Sequence, residues 1–135
     1  MGASRPADHD ARVAAVRARL DDVTGGEPGP DELDLLIRLL RAFAARAPEL
    51  AGQLIDLLAA DDLGQLRDLA HALKGSAANV GAAGLSALCA GVEQDARAGV
   101  RPEPASTARR LRTEVTAAQR AVTEVADGYA KRRAG

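Results

Sequence analysis

Residues Leu63 to Gly81 read LGQLRDLAHALKGSAANVG, and this stretch determines how we interpret the whole chain. Apolar residues recur in it at steps of three and four, as on the buried face of a bundle helix. They are Leu63, Leu66, Ala70, Leu73, Ala77 and Val80. At about 100° per residue, His71 lies roughly 130° from the centre of that apolar face. The pattern therefore predicts an amphipathic helix whose histidine points outward.

The predicted outer face around His71 combines charged residues with very small ones. Residues three or four positions apart share a helix face. Those around the histidine are Arg67, Asp68, Lys74, Gly75 and Ala78. A glycine inside a helix costs about 1 kcal/mol relative to alanine, so we interpret Gly75 as clearance for an approaching molecule. Close packing against a neighbouring helix and a helix end are the alternatives. A nucleophile, a cation and a missing side chain suit an anionic group that another molecule brings.

Periodicity and helix-breaking residues divide the rest of the chain into further helices. The predicted helical segments are 11–23, 31–47, 49–60, 82–98 and 106–131. Pro48 is expected to break or kink the second helix. Asp61 or Asp62 is expected to cap the histidine helix, with Asp62 and Gln65 at capping-box spacing. Gly81 is expected to end it in the left-handed conformation.

These elements predict an all-α protein, an antiparallel up-down four-helix bundle with an additional N-terminal helix. Short connections between the helices favour antiparallel neighbours. We expect one domain over residues 11–131 with its core motif at 62–98. Residues 1–10 and 132–135 are expected to be a flexible N-terminus and a flexible tail.

Composition excludes several classes of protein. The net charge is −1 with both signs spread along the chain, which argues against a nucleic-acid partner. No apolar run approaches the roughly 20 residues that a membrane span needs, and residues 1–10 lack the apolar segment of a signal peptide. A single cysteine, Cys89, excludes an internal disulfide, and its place among apolar residues indicates a core thiol. We therefore expect a cytoplasmic protein that contacts neither membrane nor nucleic acid.

The sequence also predicts neither a metal site nor an ATP site. The second histidine, His9, lies in a polar stretch, and we interpret it as an ordinary exposed residue. No Cys/His spacing supports a zinc site. No glycine-rich loop of the nucleotide-binding type is present. The chain is therefore not expected to be an enzyme that phosphorylates itself.

Residues 69–81, read with Leu85, Leu88-Cys89 and Glu93, resemble the histidine-containing phosphotransfer (HPt) domain of bacterial two-component phosphorelays. The similarity covers roughly residues 31–98. The resemblance implies that His71 accepts a phosphoryl group from the aspartyl phosphate of a receiver domain, or from a histidine kinase. It then passes that group to the receiver domain of a response regulator.

The resemblance also implies roles for the neighbours of the histidine. Lys74 would contact the phosphoryl oxygens and Gly75 would leave room for the partner. Glu93 would orient the imidazole through its second nitrogen, unless it is a solvated carboxylate. The docking surface for the partner would include Arg67, Asp68 and Ala78.

The expected partners are receiver domains and a sensor or hybrid histidine kinase. The chain itself is expected to be a monomer without a cofactor, since Mg²⁺ would be bound by the receiver. One alternative of a different class stays open. The chain could be a non-catalytic helical adaptor that binds receiver or kinase domains without phosphotransfer.

Overall fold

A computed structural model describes residues 6–135, which form five helices. They are α1 (Pro6–Thr24), α2 (Pro30–Leu58), α3 (Leu63–Val80), α4 (Ala83–Arg97) and α5 (Pro104–Ala134). Of the predicted flexible N-terminus, residues 1–5 lie outside the described residues, whereas residues 6–10 belong to α1. None of these helices is both long and apolar enough to cross a membrane.

Helices α2 to α5 form a closed bundle. Each packs against the next along the chain, and α5 also packs against α2. The connections between them are short, at residues 59–62, 81–82 and 98–103, so contacting neighbours run antiparallel. Helix α1 lies outside this ring, against α5 and α3. The predicted all-α bundle with an additional N-terminal helix is confirmed.

The core is built from aliphatic side chains, which pack along one face of each helix. On α3 the apolar residues of the predicted buried face from Leu66 to Val80 are buried, and Leu63 is partly buried. Cys89 is fully buried, and this burial raises the pKa of its thiol to about 12. Because only the thiolate is reactive, Cys89 acts as a small apolar residue of the core.

The two ends of α3 are fixed by specific residues. At its start, the Asp62 carboxylate accepts a hydrogen bond from the backbone N–H of Gln65 at 2.9 Å. At its end, Gly81 has φ of +81° and closes the helix. A Cβ atom at Gly81 would lie 2.8 Å from the carbonyl oxygen of Ala15 and 2.8 Å from Cβ of Arg19. The glycine is therefore required both by its backbone conformation and by the close approach of α1.

The structure corrects the predictions for both ends of the chain. His9 is not an ordinary exposed residue, because its side chain is only 17% exposed and its Nε2 lies 2.9 Å from Oε1 of Glu124 on α5. The sequence shows only its polar neighbours along the chain, not the helix that packs beside it. Helix α5 continues to Ala134, three residues beyond the predicted end. Arg133 lies on this last part of α5 and forms an ion pair with Asp34.

Pro48 does not interrupt α2, which is continuous from Pro30 to Leu58. A proline inside a helix has no N–H group to donate to the carbonyl four residues earlier, which is that of Ala44. The side chain of Gln119 on α5 supplies the missing donor, since its Nε2 lies 2.9 Å from the carbonyl oxygen of Ala44. This bond across the bundle compensates for the donor that the helix lacks.

Replacing Gln119 with Met tests this compensation, because Met keeps a similar volume but donates no hydrogen bond. We expect the free energy of unfolding in urea to fall by about 1 kcal/mol, the usual contribution of one such bond. In a Pro48→Ala background, residue 48 has a backbone N–H that can donate to the carbonyl of Ala44. Gln119→Met should therefore lower the free energy of unfolding by clearly less in this background. An equal loss in both backgrounds would show that the amide does not act through Ala44.

Candidate functional site

His71 lies on the exposed face of α3, where the periodicity of the sequence places it. Its side chain is 63% exposed, and its Nδ1 atom lies 2.8 Å from Oε2 of Glu93. Glu93 belongs to α4, so this contact joins α3 to α4, which pack against each other. One ring nitrogen is thus engaged by the protein, while the ring itself is open to solvent.

Glu93 is the buried centre of the site, with a side chain only 5% exposed. Its two oxygens share three partners. Lys74 donates to Oε1 at 2.5 Å, while His71 Nδ1 and Arg97 Nη2 each lie 2.8 Å from Oε2. A buried carboxylate is stable only when its charge is compensated by donors of this kind. The interpretation of Glu93 as a solvated carboxylate is therefore wrong.

The same contacts fix the protonation state of Glu93. The hydrogen bond from Lys74 lowers the pKa of Glu93 most, and the hydrogen bond from His71 lowers it further. Together they outweigh the effect of burial and hold this pKa at about 2. At neutral pH the carboxylate is ionised and can only accept hydrogen bonds. Nδ1 of His71 must therefore carry a proton, so the neutral form of the imidazole has its lone pair on Nε2.

Gly75 leaves empty space beside the histidine. A Cβ atom built at this position would meet no atom within 4 Å, so close packing does not explain the glycine. Position 75 lies inside α3, five residues before Val80, so a helix end does not explain it either. Clearance on the outer face is the interpretation that remains.

The three residues predicted to dock a partner are all exposed on α3. Arg67 and Asp68 pair with each other, with Nε of the arginine 3.1 Å from Oδ1 of the aspartate. Ala78 lies beyond Gly75 on the same helix and is also exposed. Their part in docking stays a prediction.

Sequence reasoning missed Arg97, which is the third partner of Glu93. A signal was present, because Glu93 and Arg97 are four residues apart and such pairs meet on one helix face. That spacing became informative only once Glu93 was known to be buried. Arg97 lies in the last turn of α4, with a side chain 62% exposed.

The site can therefore offer one nucleophilic nitrogen with two cations nearby. Over residues 6–135, no group of three or more His, Cys, Asp or Glu side chains is placed to hold a metal ion. The features that the site does provide are an exposed imidazole held through Nδ1, the positive charges of Lys74 and Arg97, and open space at Gly75. These features favour chemistry on an anionic group from outside.

Comparison with protein families gives a match. The family model described as the Hpt domain matches residues 38–121, which is more than half of the chain. The matched segment includes all of α3 and α4, and therefore His71 and Glu93. Comparisons with curated proteins and with solved structures gave no significant match.

The low pKa of Glu93 predicts how stability depends on pH. A carboxyl group whose pKa falls from 4.5 to about 2 on folding stabilises the protein above pH 4.5, and this stabilisation is lost as the pH falls toward 2. We expect Glu93→Gln to be less stable than the wild type at pH 7, with the difference shrinking steadily below pH 4.5. Urea unfolding at a series of pH values measures this.

Glu49→Gln serves as the control for that series. Glu49 is exposed, and its nearest cation, on Arg46, lies 3.9 Å away. Exposed ion pairs contribute little to stability, so this variant should follow the wild-type curve. A difference between Glu93→Gln and the wild type that stayed constant from pH 7 to pH 2 would contradict the argument.

Proposed function

Because the chain belongs to the Hpt domain family, we propose that it carries a phosphoryl group on His71 between the proteins of a phosphorelay. Hpt domains are phosphocarrier modules without an ATP site of their own, and they interact with two-component receivers and kinases. The observation that carries the proposal is the exposure of the His71 ring together with its contact to Glu93. Its ring is exposed, and an ionised Glu93 holds Nδ1, so that the neutral imidazole has its lone pair on Nε2.

In the proposed reaction, the lone pair of Nε2 attacks the phosphorus of a receiver's aspartyl phosphate. An N–P bond forms while the P–O bond to the aspartate breaks, and the electron pair of that bond leaves with the aspartate carboxylate. Nδ1 keeps its proton, so the imidazole ring becomes positively charged. The Glu93 carboxylate lies 2.8 Å from Nδ1 and stabilises this charge as it develops. Transfer to a second receiver reverses the same steps.

The neighbours of His71 supply charge and access in this proposal. Phosphoryl transfer depends mainly on positioning and on positive charge near the moving group. Lys74 lies one turn beyond His71, and its flexible, half-buried side chain is the cation assigned to the phosphoryl oxygens. Gly75 leaves the partner room to approach. Mg²⁺ is expected on the receiver domain.

Phosphoryl transfer to His71 is tested with a receiver domain phosphorylated by acetyl phosphate and Mg²⁺. We expect a phosphoryl label on this chain that is labile in acid and stable in base, because it is bound to nitrogen. His71→Gln should abolish the label while the melting temperature changes little, since the side chain is exposed and the glutamine amide still offers an N–H donor for Glu93. His9→Gln is the matched control and should keep full labelling.

The outcome of this experiment also separates the proposal from the adaptor alternative. A wild-type chain that bound the receiver without becoming labelled would be an adaptor. A label that survived His71→Gln and disappeared in His9→Gln would move the acceptor to the other histidine. Either result would contradict the proposed function.

Gly75→Leu tests whether the empty space serves the partner. A Cβ atom at position 75 meets no atom within 4 Å, and leucine replaces glycine inside a helix, so stability should rise by up to about 1 kcal/mol. Transfer from the receiver should nevertheless fall by more than about tenfold, since the leucine occupies the approach to the imidazole.

Gly52→Leu is the control for this substitution. Gly52 is an exposed glycine within α2 that also has nothing within 4 Å of a built Cβ atom. The variant should gain similar stability and keep wild-type transfer. Equal transfer by the Gly75→Leu and Gly52→Leu chains would exclude a role for clearance.

A further inference from the structure

The two oxygens of Glu93 have different partners. Oε2 faces His71 Nδ1 and Arg97 Nη2, both at 2.8 Å, whereas Oε1 faces Lys74 Nζ at 2.5 Å. The oxygen that orients the imidazole is thus shared with an arginine of the same helix. The oxygen that faces Lys74 can lose its partner without disturbing the hydrogen bond to the imidazole.

In the proposed function, Lys74 contacts two anions one after the other, first the Glu93 carboxylate and then the phosphoryl group. In the present structure it is bonded to Glu93, but the proposed function assigns it to the phosphoryl oxygens. When it moves, Glu93 loses one of its two fixed cations while its side chain is only 5% exposed. Leaving a buried carboxylate without a compensating charge is strongly unfavourable. While the imidazole is still neutral, before the N–P bond forms, Lys74 is therefore free to move toward the incoming phosphoryl group only if another cation stays with Glu93.

Arg97 meets this requirement. It is four residues from Glu93 on α4, so its contact depends on one helix and not on the packing of α3 against α4. A guanidinium group is always charged, and its planar donor groups keep a hydrogen bond in place while Lys74 is released. Among the described residues, the cationic side chains in contact with Glu93 are those of Lys74 and Arg97, with His71 as the third donor.

We propose that Arg97 is a positioning residue, which holds the charge of Glu93 so that Lys74 can move from Glu93 to the phosphoryl group on His71. This inference rests on the proposed function. In this role Arg97 keeps its contact with Glu93 and is not assigned to the phosphoryl oxygens. It acts through Glu93 and determines whether Lys74 is available.

The test uses phosphoramidate, a small phosphoryl donor that labels histidine without any protein partner. The full chain is compared with Arg97→Gln, which removes the charge, and with Arg97→Lys, which keeps it. We expect the labelling rate of His71 to fall roughly fivefold in Arg97→Gln. This corresponds to the upper end of the free energy that a partly exposed ion pair contributes. Arg97→Lys should restore most of this rate.

Arg41→Gln is the matched control, since Arg41 forms a single exposed ion pair with Asp127 between α2 and α5, the other side of the bundle. Its labelling rate should equal that of the wild type. Melting temperatures of all variants separate a loss of folding from a loss of rate.

The position of Lys74 is measured directly by the ¹⁵N resonance of its Nζ atom. On phosphorylation this resonance should shift in the wild type and in Arg97→Lys, and it should stay near its unphosphorylated position in Arg97→Gln. An equal shift in the wild type and in Arg97→Gln would overturn the role of Arg97, as would unchanged labelling of Arg97→Gln. A wild-type chain that phosphoramidate leaves unlabelled at His71 would instead overturn the proposed function, and this inference with it.

Discussion

The burial of one carboxylate, that of Glu93, is the constraint on which the rest of the site depends. Because this carboxylate is ionised and buried, it needs several hydrogen-bond donors. These donors come from two helices. The contacts of His71 and Lys74 tie α3 to α4, while the contact of Arg97 stays within α4. The need to supply Glu93 with donors therefore holds α3 against α4. It also determines the tautomer of the neutral imidazole and the positions of the Lys74 and Arg97 side chains.

Burial elsewhere in the bundle serves to hold this helix pair in position. The ends of α3 are set by Asp62 and Gly81, and Gly81 packs directly against α1. Pro48 would weaken α2, but the amide of Gln119 on α5 completes the hydrogen bonding of Ala44. The helix that carries the exposed histidine is thus held by contacts at its own two ends, while the bond between Gln119 and Ala44 supports the packing of α2 against α5.

Much of this could be predicted from the sequence, because it depends on residues close together in the chain. Helical periodicity places His71 outward, and left-handed termination at Gly81 follows from residue type. The contact between Gln119 and Ala44 joins residues 75 positions apart, and nothing local indicates it. Glu93 lies between these cases. Its spacing from Cys89 and Ala96 puts it beside the buried face of α4. Its charge, however, is equally compatible with a side chain exposed to solvent. Arg97 was missed because its partner was not known to be buried.

The packing of α1 against Gly81 determines where a fragment of this protein should begin. The segment matched by the family model begins at residue 38, inside α2, and omits α1 altogether. A fragment cut at that boundary would lose the first turns of α2 and the surface against which the end of α3 rests. The packed unit of five helices is therefore larger than the segment matched by the family model. Boundaries for expression or for transplanting the module belong before Pro6 rather than at the limits of the match.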